Sequence, residues 1–260
     1  MKGGDFVLKK LMLLIAVTLI ASVSFAAGQL DIVPQYFMGD TTTPFVVHFQ
    51  ITDLGTYTSL SVKARMTSAA TTDFSKNAYT WSTLSSAWGD DGYPWIKTSV
   101  FPISGGVASG WLIVKNKILN SYGICSIKAR AKVNGGTSTN YVTSTTTITS
   151  LDSATNGGWI AGNYMSNEDK IVLVKDDANN VLGSGLTENN NVNEGYASTN
   201  PGYFKVALPA GTRNLKLSFL NKDGSSAGSD YNLGSVTINA NKTNSAFGTV
   251  PVELSGFISE

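Results

Sequence analysis

Residues 202–219 read GYFKVALPAGTRNLKLSF. Apolar and polar residues alternate, stop at PAGT, and alternate again. Phe204, Val206 and Leu208 share one side of the first run; Leu215, Leu217 and Phe219 share one side of the second. A period of two is the signature of a strand with one buried face. Pro209 fixes its φ and Gly211 tolerates a positive one, so the interruption reads as a turn. The stretch therefore predicts a β-hairpin, with Lys205, Asn214, Lys216 and Ser218 facing solvent.

The same pattern recurs upstream. PFVVHFQITDLG places Phe45, Val47, Phe49 and Ile51 on one face and His48 and Gln50 on the polar one. SLSVKARMTS turns Leu60, Val62, Ala64 and Met66 inward and Lys63 and Arg65 outward. GWLIVKNK, GICSIKARAKV and NYVTSTTTITSL are further strands, with a short helix over Ser109–Asn116 as the other reading of that piece. LDSATNGG, Leu151–Gly158, is small, polar and flexible, a boundary signal. GWIAGNY, DKIVLVKD, VLGSGLT, the hairpin and YNLGSVTINA follow it. Short runs between regular turn signals predict an all-β chain of two tandem antiparallel β-sandwich domains. The first, generic and immunoglobulin-like, covers 27–150 and the second 151–247; 248–260 reads as a linker or tail.

The first 26 residues stand apart. Lys2, Lys9 and Lys10 precede LMLLIAVTLIASVSFA, an apolar run ending in small residues. That is the layout of a secretory signal peptide with cleavage before Ala27. The run is shorter than the ~20 residues a spanning helix needs. The expected protein is secreted, extracellular or at the cell surface, with no membrane segment after cleavage. Removing the leader, with its three Lys and one Asp, turns 19 basic and 18 acidic residues into 16 and 17. A near-neutral chain without a basic stripe or acidic tail does not predict a nucleic-acid partner. A single cysteine, Cys125, rules out an intrachain disulfide, and its place in GICSIKARAKV predicts a buried apolar role.

The second half resembles the carboxypeptidase regulatory-like domain, on Asn179-Asn180, Thr187-Glu188-Asn189, Gly202-Tyr203-Phe204 and Leu208-Pro209-Ala210-Gly211-Thr212. The resemblance covers about Trp159–Ile238 and implies a prealbumin-type sandwich serving as a non-catalytic accessory. The loop Asn189–Asn200 is longer than that family's usual link. VPVELSGF near the end is similar to a segment that precedes fibronectin-type modules in secreted bacterial multidomain proteins. That similarity implies either a short product or part of a longer architecture.

One His and one Cys exclude a His- or Cys-rich zinc site within one chain. No P-loop is present. Asp90, Asp91, Glu168 and Asp169 would have to supply any glycosidase-type carboxylate pair, and all lie in turn-like sequence. No enzyme is expected. The segment from Tyr79 to Trp111 holds four of the five Trp residues. Aromatic faces there could stack on sugar rings, with carboxylates accepting from hydroxyls. The candidate contact residues are Trp88, Asp90, Asp91, Tyr93 and Trp95, and filling of the core is the competing role. Asp176, Asp177, Asn179 and Glu188 are candidate Ca²⁺ ligands, since Ca²⁺ takes hard oxygens from loops, although ordinary solvated turns explain them too. No other cofactor is indicated. The function expected is a structural or adhesive protein of a bacterial cell surface or extracellular assembly, contacting a glycan or protein surface. The alternatives are a carbohydrate-binding module built on the aromatic loop and a self-assembling filament subunit. In the last, AGQLDIVPQYF would add as a strand to a neighbouring copy.

Overall fold

The computed structural model of the protein describes residues 26–41, 43–55, 57, 59–68, 96–97, 101, 103–114, 122–134, 141–164, 170–187 and 202–245. Among them there is no helix, and Ser109–Asn116, as far as it is described, is strand. The elements of the first half are β1 (Ala27–Ile32), β2 (Tyr36–Met38), β3 (Phe45–Thr52), β4 (Ser59–Ser68), β5 (Ile96–Lys97), β6 (Ile103–Ser104), β7 (Val107–Val114), β8 (Gly123–Asn134) and β9 (Tyr141–Leu151). They form a four-stranded sheet, β1-β3-β7-β6, facing a five-stranded one, β2-β9-β8-β4-β5. Inward residues of both sheets meet in one core, including Phe45, Val47, Phe49 and Ile51 from β3, Leu60, Val62 and Met66 from β4, and Cys125 and Ile127 from β8. Burying each large apolar side chain contributes roughly 1.5–3 kcal/mol before the entropy cost of ordering it.

The second half contributes β10 (Gly157–Asn163), β11 (Ile171–Lys175), β12 (Val181–Leu186), β13 (Tyr203–Pro209), β14 (Gly211–Leu220), β15 (Tyr231–Ile238) and β16 (Thr243–Ser245). Their sheets are β13-β10-β16 and β12-β11-β14-β15. Pairing is antiparallel except for β2 on β9 and β10 on β16, which are parallel. A second core joins Val172, Val174, Phe204, Val206, Leu208, Leu215, Leu217 and Phe219.

The predicted hairpin is a corner instead. β13 pairs with β10 in one sheet, whereas β14 pairs with β11 and β15 in the other. The chain leaves the first sheet at Pro209, which has no N–H to offer a ladder, and enters the second at Gly211, whose φ is 126°. Phe204, Val206 and Leu208 therefore face Leu215, Leu217 and Phe219 across the core rather than lying beside them. Two of the predicted solvent residues also differ. Ser218 is 1% exposed. Lys205 lies over the Trp159 ring, 4.3 Å from its centroid, and burial there lowers its pKa.

The crossing between the two pairs of sheets falls in Asp152–Asn156. It is a tight turn rather than a loose connection. The Asp152 carbonyl accepts from the amides of Asn156 and Gly157 at 3.0 and 2.8 Å, and its carboxylate accepts from the Ala154 amide. Asp40 braces the turn by accepting from the Ser153 amide at 3.1 Å. The N-terminal stretch is likewise engaged within its own chain: β1 pairs antiparallel with β3 from Ala27↔Thr52 to Ile32↔His48.

The outer faces of two sheets also meet. Val46, Trp111 and Ile113 from β3 and β7 form one buried cluster with Ile171, Leu173 and Leu186 from β11 and β12. This seam explains why all of Ile171–Val174 is buried. Beside it the Ser184 hydroxyl donates to the Val46 carbonyl at 2.7 Å and accepts from the Val46 amide at 3.0 Å. Ser184 thus serves a backbone position of β3 beyond the last β1 pairing.

Candidate functional site

The outer face of the five-stranded sheet is built from rows that the register fixes. Residues directly opposite in a sheet share a face. Across β9, β8 and β4 the rows run Tyr141–Lys132–Ser61, Thr143–Arg130–Lys63, Thr145–Lys128–Arg65 and Thr147–Ser126–Thr67. On β5, Lys97 lies opposite Ser61. The alternate positions Val62, Ala64, Ala129, Ala131 and Val142 are buried in the core. The strands of this sheet carry Lys63, Arg65, Lys97, Lys128, Arg130 and Lys132 and not one Asp or Glu.

Local geometry sharpens this face. The Arg130 guanidinium sits over the Tyr141 ring, 3.6 Å from its centroid, a cation–π contact with the diagonal neighbour on β9. Its Nε is shielded from solvent and has no hydrogen-bond acceptor. Thr143, Thr145 and Thr147 are exposed and present a row of hydroxyls beside the cations. At the far end of the sheet Ile124 is 74% exposed. Among the described residues the ion pairs are Asp31–His48 and Lys175–Asp230, so no described carboxylate pairs with Lys128, Arg130 or Lys132. Lys63 stands opposite Arg130, and Arg65 opposite Lys128. Like charges set directly across a ladder are destabilising, so this arrangement is not explained by stability of the sheet.

The near-neutral balance of the chain gives no warning of such a face. The signal lies in KAR, Lys63–Arg65, and KARAK, Lys128–Lys132. Each places cations at alternate positions, and each reads alone as an ordinary solvated strand edge. Only the β4–β8 register stacks them.

The residues singled out in the sequence are placed differently. Trp88, Asp90, Asp91, Tyr93 and Trp95 lie outside the described residues, as does Glu188. Of the aromatic segment, Trp111 is described and is buried in the seam at 4% exposure. Asp176, Asp177 and Asn179 share one turn, and a side-chain oxygen of each accepts a hydrogen bond from a neighbouring side chain. Asn180 donates through its amide and side chain to the two Asp176 carboxylate oxygens, both at 2.8 Å. Asn214 donates to the Asp177 carboxylate at 2.8 Å, and the Lys216 ammonium reaches the Asp177 carbonyl and Asn179 Oδ1 at 3.4 Å. The hydrogen bonds from Asn180 hold the Asp176 carboxyl below its ordinary range. Among the described residues no three His, Cys, Asp or Glu side chains group as a metal site.

His48, expected in solvent, is only 16% exposed; its Nδ1 lies 2.7 Å from Asp31 Oδ1, and its ring tilts against Trp111. Cys125 is buried, as its pattern predicts, and desolvation raises its thiol pKa, which disfavours the reactive thiolate.

Fold and face together define a class: an all-β protein of packed sandwiches with a broad cationic, hydroxyl-bearing sheet surface. No protein-family model and no curated protein matches the chain. Among solved structures it is similar to a Corynebacterium diphtheriae protein described as membrane anchored, at 12% identity and TM-score 0.23, covering 82% of this chain and 52% of that one. It is also similar to the C-terminal domain of the Streptococcus agalactiae AgI/II polypeptide BspA, at 8% identity and TM-score 0.22, covering 84% of this chain and 100% of that one. The chain thus spans about half the length of the first of these, and likenesses this slight define neither fold nor role. Among the described residues no helix is long and apolar enough to cross a membrane.

Proposed function

We propose that the protein is a secreted, non-catalytic structural or adhesive component of a bacterial cell surface or extracellular assembly. The observation that carries this reading is the outer face of the five-stranded sheet. It is wide, rich in cations without an Asp or Glu on its strands, and lined by hydroxyls, which suits contact with an extended surface rather than chemistry in a cleft. The leader-like first 26 residues and the accessory-domain resemblance of Trp159–Ile238 support the same reading. The buried seam between sandwiches supports it as well, because it ties two modules into one body. Expression of the full chain in a bacterial host, followed by fractionation and protease shaving of intact cells, tests the reading. The chain should be released by the protease or recovered from the medium. Retention in the cytoplasm with the leader uncleaved would overturn it.

A further inference from the structure

We propose that the outer face of the five-stranded sheet binds a linear anionic polysaccharide. Acidic groups of the chain would lie over Lys128, Arg130 and Lys132, and its hydroxyls over Thr143, Thr145 and Thr147. The choice of a polysaccharide rests on the extracellular reading above; the choice of an anion rests on the face alone.

Charge complementarity comes first. The three β8 cations alternate along one strand, at spacings of about 7 Å. Lys63 and Arg65 on β4 stand opposite two of them. A line of cations with no carboxylate partner among the described residues carries its own repulsion, and a polyanion lying along the strand would relieve that repulsion. The guanidinium of Arg130 is fixed over Tyr141, and a pre-positioned planar cation recognises carboxylate or phosphate oxygens through paired N–H donors.

The threonine row then distinguishes the source of the anion. Hydroxyls both donate and accept, which matches the hydroxyls of sugar rings. Tyr141, 39% exposed, adds an aromatic surface at the end of the same row. A bilayer surface would offer headgroup charge but no matching hydroxyl ladder. A duplex nucleic acid would offer phosphates in a curved, two-stranded array.

The test uses the mature chain from Ala27, with polygalacturonate as the anionic probe and dextran as the neutral one, in affinity electrophoresis. Polygalacturonate should retard the protein, dextran should not, and retardation should fall steeply with added salt. The double variant Lys128→Ser/Lys132→Ser should weaken retardation at least tenfold. Lys175→Ser/Lys222→Ser, off this face, should leave it unchanged, with circular dichroism confirming the fold of each. Thr143→Ala/Thr145→Ala, which keeps every charge, should weaken binding severalfold. Equal retardation by dextran, or wild-type behaviour of the Lys128/Lys132 variant, would overturn the proposal. Tighter binding to duplex DNA or to anionic phospholipid vesicles than to polygalacturonate would overturn the polysaccharide assignment. Cytoplasmic retention in the fractionation experiment, with polygalacturonate binding intact, would sink the surface role and leave the anion-binding face standing.

Discussion

Ser184 shows how one hydroxyl decides a junction. It lies at 2% exposure in a strand otherwise lined by apolar residues and glycine. Its oxygen both donates to and accepts from the backbone of Val46 on another sheet. Ser184→Ala would leave a buried amide and a buried carbonyl without partners, at a cost of about 1–3 kcal/mol for each group unsatisfied. Urea unfolding should show a lower midpoint with an unchanged slope; an unchanged midpoint would mean that water replaces the hydroxyl. Nothing in VLGSGLT marks Ser184 as buried, because its partner lies 138 positions away. Asp176 behaves oppositely, being local and legible. Its folded pKa is lowered, first by the Asn180 side chain, so its contribution is present above the unfolded value of about 3.9 and is lost as pH falls through the lower folded value. Asn180→Ala should therefore melt below wild type near neutrality and converge with it in strong acid. A melting-temperature series across that range checks this, and a constant offset would refute it.

Elements were legible as strands, but not the company each strand keeps. The alternation in 202–219 identifies which side chains face a core, and all six of its large apolar residues do so. It does not say whether the two strands are neighbours in one sheet or opposite one another in two, because both satisfy the same pattern. Pro209 followed by Gly211 favours the corner, since neither residue extends a ladder well. The cationic face has the same origin: KAR and KARAK each look solvated, and only pairing across some 65 positions joins them. Gly183 marks a further contact between elements. A Cβ there would lie 2.6 Å from the Ala207 carbonyl oxygen and 2.6 Å from Val206 Cγ1, so β12 and β13 approach as closely as backbone allows. Gly183→Ala must push the two sheets of the second sandwich apart, and overpacking of this kind costs about 1–3 kcal/mol. Denaturant titration should report that loss, accompanied by faster amide exchange in β12 and β13. A variant as stable as wild type would show that the sheets separate freely.

The whole molecule depends on a second apolar row that a simple sandwich does not need. IVLV at Ile171–Val174 is apolar at every position, and Val46 interrupts the polar face of β3. Strands buried on both faces read as continuous apolar runs, so the sequence shows that something covers Ile171 and Leu173 without naming Trp111, Ile113 and Val46. Ile113 belongs to the seam and not to either sandwich core. Ile113→Ala should therefore weaken the coupling while leaving both cores packed, with the Met38, Leu151, Trp159 and Ala207 cluster as the remaining junction. Truncation at a buried Ile costs about 2–5 kcal/mol, a loss that falls on the seam rather than on either core. In the wild type, amides of β8 and β14 should exchange through one global opening with the same free energy, and calorimetry should give a single two-state peak. In the variant the two strands should acquire different opening energies and the calorimetric peak should broaden or split. If β8 and β14 already exchange independently in the wild type, the seam does not couple the sandwiches. The cationic face would then have to hold its shape on the first sandwich alone.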